Sequence, residues 1–360
     1  MKGYLRLYTY GHWLKAFCCI AFIAGLPWMG YAQKSRFRIM EYNVENLFDT
    51  IRCMHTEDAD FTPEGSHKWS SSRYWKKLSD IGRVIASGGG KQPADLVALI
   101  EVENDSVVAD LTRKTKLWRL GYEYIITHSK DVRGINVALL YQPYRFRPIG
   151  RDSTRVMPVS TKKGRPTRDI LHVAGEVPTG DTLDVFVCHL PSRRGGNSAS
   201  RYRIAVAERL REAIDNVVQQ RKRPQIVVTG DFNAYYPEKV FTQALRATAA
   251  NDVQEAYLPN GLYVMTHQME ARRGIKGTYK FQGEWNQLDQ MIVNGVLLAK
   301  QDEDDHRLRT TTQSCKLVDF DFLLQNDKNG DGVHPYRTYL GPYYQGGYSD
   351  HLPVILDFYF

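Results

Sequence analysis

Ile226-Val227-Val228-Thr229-Gly230-Asp231-Phe232-Asn233 decides how the rest of the chain is read. The apolar and β-branched run predicts a buried strand, and Gly230 ends it where no side chain fits. Asp231 and Asn233 then leave the strand at a spacing that aims both at one point. A carboxylate there accepts a proton from water or holds a cation, and a carboxamide donates to an anionic oxygen. Alone, Gly-Asp-x-Asn is also ordinary turn chemistry; the other strand ends have to choose between the two.

The 360 residues, 42% of them hydrophobic, suffice for a large core. Residues 1–32 read as a signal peptide: Lys2, Arg6 and Lys15 precede an acid-free apolar run from Ala16 to Met29, and Gly30-Tyr31-Ala32 fits a cleavage site. Leu26-Pro27-Trp28 interrupts the run and weakens the competing reading of an uncleaved membrane anchor. The mature domain would span 33–360, with no membrane span, secreted or delivered to a periplasm or cell envelope. Removing three bases and no acid takes the formal charge from +8 to +5, which favours anionic partners. The remaining Cys53, Cys188 and Cys315 form no Cys-x-x-Cys pair, so no zinc knuckle or disulfide framework is indicated.

Polar residues recur at other strand exits. Arg36 to Tyr42 alternates like a half-buried strand and runs into Asn43-Val44-Glu45; Asp95 to Ile100 is a buried run that ends on Glu101. The segment from Cys53 to Ser71 reads as a surface loop. Trp75, Leu78, Ile81 and Ile85 predict a helix between the Ser70-Ser71-Ser72 caps and Gly88-Gly89-Gly90, and Val107, Val108, Leu111 and Trp118 another. Leu183 to Cys188 predicts a strand ended by His189, followed by the basic Arg193-Arg194-Gly195-Gly196 and a helix from Ser200 to Val218. Lys162, Lys163, Arg165 and Arg168 form a basic loop. Asp289 lies inside an apolar strand pattern; a lone buried carboxylate costs about 3 kcal/mol or more, so it requires a donor, most simply a histidine. Asp350 and His351 open the last strand. Asp327 to Gly332 copies half of a calcium loop, but Thr338 stands where the bidentate Glu belongs.

The order of these sites, with Gly-Asp-Phe-Asn, Leu-Asp-Gln-Met-Ile-Val and Ser-Asp-His-Leu-Pro-Val, resembles the endonuclease/exonuclease/phosphatase superfamily from Tyr42 to Pro353. The resemblance implies an α/β fold, a four-layer α/β/β/α sandwich of two mixed β-sheets flanked by helices, with the site at one sheet edge. It also implies a metal-dependent phosphoric ester hydrolase. Glu101, Asp350, Asn43 and Glu45 would surround Mg2+, with Mn2+ or Ca2+ as substitutes; Glu45 is one methylene longer than the Asp common there. Asp231 would activate water, His351 paired with Asp289 would bind phosphate or act as acid and base, and His189 would assist. Asn43, Asn233, Arg193 and Arg168 would bind the phosphate.

The leading expectation is a secreted, monomeric Mg2+-dependent nuclease, with Arg165, Arg168, Arg193, Arg194, Arg201 and Arg203 ringing a phosphate chain. The alternative is a phosphatase or phospholipase C-type enzyme for inositol phosphates, sugar phosphates or sphingomyelin. A catalytically silent binding module is disfavoured, because every catalytic position holds a competent residue. Asn104-Asp105-Ser106 is a glycosylation acceptor expected to stay unmodified so close to Glu101.

Overall fold

The computed structural model describes residues 35–150, 154–157, 166–194, 196–251, 256–299, 306–327 and 332–360. The expected signal peptide, Lys162, Lys163, Arg165, Gly195 and most of the calcium-loop look-alike lie outside them. Arg36–Phe360 forms one compact unit.

In chain order the strands are β1 (Arg36–Leu47), β2 (Leu96–Val102), β3 (Glu123–Ile126), β4 (Asn136–Tyr141), β5 (Arg147–Pro148), β6 (Thr154–Met157), β7 (Ile170–Glu176), β8 (Thr182–His189), β9 (Gln225–Asp231) and β10 (Ala247–Ala249). They continue as β11 (Leu262–Val264), β12 (Tyr279–Phe281), β13 (Glu284–Asn286), β14 (Asp289–Asn294), β15 (Cys315–Leu317), β16 (Leu324–Asn326), β17 (Val333–Pro335), β18 (Tyr339–Leu340), β19 (Tyr343–Tyr344) and β20 (Val354–Tyr359). One sheet orders them β15-β20-β1-β2-β4-β3. The other runs β10-β11-β14-β9-β8-β7-β5, with β6 also on β7. Both sheets mix parallel and antiparallel pairs, and β1, β2 and β4 of the first face β9, β14 and β8 of the second.

Period-two alternation builds these layers. On β9, Val227 joins the core between the sheets, while Ile226 and Val228 face outward into a second cluster with Leu210, Ile214 and Val217 of the helix Gly196–Gln220. Helix α1 (Ser71–Gly89) starts where the Ser70 hydroxyl accepts the Arg73 N–H and ends at Gly90, whose φ is +78°. Its buried stripe is Tyr74, Leu78, Ile81 and Ile85. Trp75, expected on that stripe, is 37% exposed with Lys114 over its ring. Helix α2 (Asp105–Lys114) stops before Trp118, which sits on a short turn and is 59% exposed. Helix α3 (Gly196–Gln220) begins earlier than its apolar period suggested. The expected loop from Cys53 to Ser71 contains a core residue: Trp69 is buried and donates its indole N–H to Phe48 O at 3.0 Å.

Candidate active site

Strand register delivers the motif residues to one edge. Parallel pairing of β8 with β9 sets His189 opposite Asp231, and antiparallel pairing of β14 with β9 sets Asp289 opposite Asp231 on the other side. From the facing sheet, β1 sends Ile39, Glu41 and Asn43 inward, and β2 carries Glu101 one residue before its end. Both strands break register there, between Asn43 and Leu47 and between Ile100 and Val102. Glu45, Asn46, Glu101 and Asn233 all have positive φ, between 48° and 68°. Residues without a glycine's freedom hold that conformation only where their surroundings enforce it, which is why such backbone gathers at working sites.

The side chains converge. Nδ1 of His351 is 2.6 Å from Oδ2 of Asp289, so His351 is the donor that the buried carboxylate required. Asn43 Nδ2 donates to Asp231 Oδ2 at 3.2 Å and Asn233 Nδ2 at 3.1 Å, while the Asn233 N–H donates to Oδ1 at 2.7 Å. Nε2 of His189 lies 3.6 Å from Asp231 Oδ2 and 3.8 Å from Glu101 Oε1. Asp350 Oδ1 is 4.0 Å from His351 Nε2.

Charge in this pocket follows from burial and neighbours. Burial, then Asp289, raises the Asp231 carboxyl to about 7. Burial would also raise Glu101, but the Arg133 guanidinium and the Asn46 N–H, which donates to Oε2 at 2.9 Å, outweigh it and hold Glu101 low. Burial disfavours the His351 cation, yet Asp289 overrides it and sets His351 well above its ordinary value. Burial and the guanidinium groups of Arg168 and Arg133 keep His189 neutral. The pocket thus combines an imidazolium, a neutral imidazole, an ionised carboxylate and one carboxyl that titrates near neutrality.

Several expected residues have other occupations. Glu45 accepts the backbone N–H groups of Thr338 at 2.7 Å and Tyr339 at 3.0 Å, so its carboxylate anchors that loop rather than facing a cation freely. Arg168 is buried, bonded to Asp131 at 3.3 Å and Leu190 O at 2.8 Å, and Arg203 holds Pro191 O and Ser192 O. Both brace the loop after His189 instead of forming a rim. Arg193 is half-exposed and paired with Glu238 at 2.7 Å, while Arg194 and Arg201 are exposed. Asn104 caps α2 and donates to Asp49, which commits the amide of the glycosylation acceptor.

Sequence reading passed over several contributors. Arg133 places its guanidinium 3.5 Å from each Glu101 oxygen and also bonds Asn46; its only signal was a base in the turn before β4. Lys77 is buried on the apolar stripe of α1, where it donates to Tyr348 O at 2.7 Å and to Thr338 Oγ1. Glu41 is fully buried without a nitrogen or hydroxyl partner, and burial followed by Asp289 raises it well above the usual carboxyl range. The inward alternation of β1 already pointed it into the interior. Tyr279 packs its ring 4.9 Å from that of His351.

A sequence model described as "Endonuclease/Exonuclease/phosphatase family" matches residues 38–359. The chain belongs to the endonuclease/exonuclease/phosphatase family. It is therefore a metal-dependent phosphoric ester hydrolase. Solved structures share the fold at low identity. A family member from Bacteroides thetaiotaomicron has a TM-score of 0.54 and 15% identity, covering 91% of this chain and 99% of its own. D. rerio TDP2 in complex with single strand DNA product gives 0.52 and 14%, covering 90% and 99%. The human Nocturnin catalytic domain with bound sulfate anion gives 0.52 and 17%, covering 91% and 98%. No curated protein matches the chain in sequence.

The donor set fits the family's divalent cation. Ligand-capable atoms of Asp231, Asp289 and His351 lie within 4.8 Å of one another, but the 2.6 Å hydrogen bond between Asp289 and His351 commits that imidazole to its carboxylate. A hard cation prefers oxygen donors and retains waters, which suits the carboxylates of Glu101 and Asp350 and the Asn43 amide oxygen. A buried carboxylate kept ionised, as Glu101 is, supplies what such an ion needs.

Proposed function

We propose that the chain is a secreted, monomeric, Mg2+-dependent nuclease. The observation that carries the catalytic part is the convergence of Asp231, Asn233, Asn43, Glu101 and the Asp289–His351 pair, from both sheets, at one edge. Hydrolysis puts water onto phosphorus while charge grows on the equatorial and leaving oxygens. Asp231, held by two carboxamides, orients and deprotonates the water. His351, kept cationic by Asp289, has one free N–H at Nε2, which protonates the departing alkoxide. Neutral His189 donates a hydrogen bond without adding charge. A divalent cation at Glu101 and Asp350 would offset the negative charge of the phosphoryl group.

Nucleic acid is supported by the basic balance of the chain, by exposed Arg194 within electrostatic reach of Tyr279 beside His351, and by the DNA product held by a protein of the same fold. Secretion rests on the basic, apolar and small-residue order of residues 1–32; mass spectrometry of the exported protein should find Gln33 at its start. No helix among the described residues is long and apolar enough to cross a membrane. A panel of DNA, RNA, inositol phosphates and sphingomyelin, each with Mg2+ or EDTA, tests the substrate. Mg2+-dependent cleavage of nucleic acid that falls steeply with salt is expected; turnover of inositol phosphates or sphingomyelin beside inert nucleic acid would overturn it.

A further inference from the structure

We propose that Glu41 is a positioning residue whose carboxyl group donates a hydrogen bond to Oδ1 of Asp289 and so fixes the carboxylate that holds His351. The inference rests on the reading of His351 as the acid that protonates the leaving oxygen, and it adds the group standing behind that pair.

Unmatched polar atoms locate the contact. Asp289 offers Oδ2 to Nδ1 of His351 at 2.6 Å, while its Oδ1 is buried with no nitrogen or hydroxyl donor. Both carboxyl oxygens of Glu41 are buried without such a donor as well. A buried acceptor left unmatched bears its full desolvation penalty, so these neighbouring orphans call for one shared proton. A carboxylic acid at Glu41 supplies it: one O–H serves Oδ1, and no further anion is buried beside Asp289 and Asp231. The cation of His351 faces Asp289, which leaves the proton on Glu41.

The contact crosses from one sheet to the other. Glu41 points inward from the middle of β1, where its backbone pairs with Ala98 of β2 on one side and Val354 of β20 on the other. Asp289 opens β14 in the facing sheet, paired with Asp231. Burial first, then the charges of Asp289 and Asp231 and the hydrogen bond to Asp289, hold Glu41 well above the usual carboxyl range.

With both oxygens engaged, the Asp289 carboxylate cannot turn. The Nδ1–H of His351 then keeps one direction and Nε2 keeps facing the pocket. Glu41 acts through Asp289 and touches no reacting atom.

The test uses the full chain with Mg2+, as wild type, Glu41→Met, Glu41→Gln and Asp289→Asn, with thermal melting to check folding. Two substrates are compared: a DNA oligonucleotide, whose alkoxide leaving group needs a proton, and bis(p-nitrophenyl) phosphate, whose phenolate does not. Glu41→Met should lower kcat on the oligonucleotide by about 10- to 100-fold at constant KM, and far less on the p-nitrophenyl ester. Glu41→Gln should restore kcat, because the carboxamide keeps the shape and a donor to Oδ1. The infrared difference between wild type and Glu41→Gln should carry the C=O stretch of a neutral carboxylic acid. A carboxylate band in its place, a Gln variant as impaired as the Met variant, equal losses on both substrates, or a folded Glu41→Met enzyme with normal kcat would each overturn the positioning role. Should Glu41→Met not fold, the Gln variant and the infrared band still decide. Normal kcat in Asp289→Asn would remove the acid reading of His351, and an inert oligonucleotide beside a hydrolysed p-nitrophenyl ester would remove the nuclease reading; the infrared band decides the Glu41 hydrogen bond in either case.

Discussion

Nδ1 of His351 lies 2.6 Å from Oδ2 of Asp289, deep in the chain and across 62 residues of sequence. The carboxylate fixes the tautomer, leaves Nε2 facing the pocket and favours the imidazolium. Asp289→Asn should keep the fold and lower kcat by about 10²- to 10⁴-fold, measured by steady-state hydrolysis beside a thermal melt. His351→Ala should lose at least as much. A folded Asp289→Asn enzyme with near-normal kcat would contradict the pairing's role.

Asp231 sets the acid side of the pH profile. Burial and Asp289 raise its carboxyl to about 7, so below that pH it carries a proton and accepts none from water. A bound cation can only lower the value. The rate should therefore climb with pH through a limb at or below about 7, read from log kcat/KM against pH. Asp231→Asn should remove the limb along with the activity.

The fold was legible where alternation and site chemistry agree. Ile226 to Asn233 predicted a strand, a glycine without room and two polar groups at its exit, and the structure has all three. The need of Asp289 for a donor could be read from its place in an apolar strand. Residues whose signal is tertiary were harder. Tyr74 rather than Trp75 faces the core because the helix phase is set by packing on β1, and neither aromatic reveals it locally. Arg168 and Arg203 looked like a basic rim, but their guanidinium groups satisfy carbonyls of the loop after His189, which no spacing encodes. Arg133 sits in a turn without period, so its approach to Glu101 was invisible until the sheets were assembled.

Gly230 has φ +136°, and a Cβ there would lie 1.9 Å from Cys188 O. Backbone cannot yield as a flexible side chain can. Gly230→Ala should destabilise the protein by about 3 kcal/mol or more, measured by urea unfolding. Stability within about 0.5 kcal/mol of wild type would refute the close approach.

Glu103 links stability to pH. Burial raises it to about 8, although the Asp49 N–H, at 2.7 Å from Oε2, pulls the other way. A carboxyl raised on folding binds its proton more tightly in the folded chain. Its contribution is complete below the ordinary value of about 4.3 and is lost as pH rises through about 8. Glu103→Gln should flatten the fall in melting temperature across that window by a few degrees. Parallel curves for the two proteins would show that Glu103 does not titrate there.

On the proposed reading, hydrolysis depends on a cation held beside Glu101 at the edge where the two sheets meet. Its most direct test is phosphodiester hydrolysis by wild type and Glu101→Gln, stripped with EDTA and then titrated with Mg2+. Wild type should be silent after stripping and recover with Mg2+, while Glu101→Gln should need far more Mg2+ or stay inactive at every concentration. Full hydrolysis by the EDTA-treated enzyme, or a Glu101→Gln titration that overlays wild type, would contradict it.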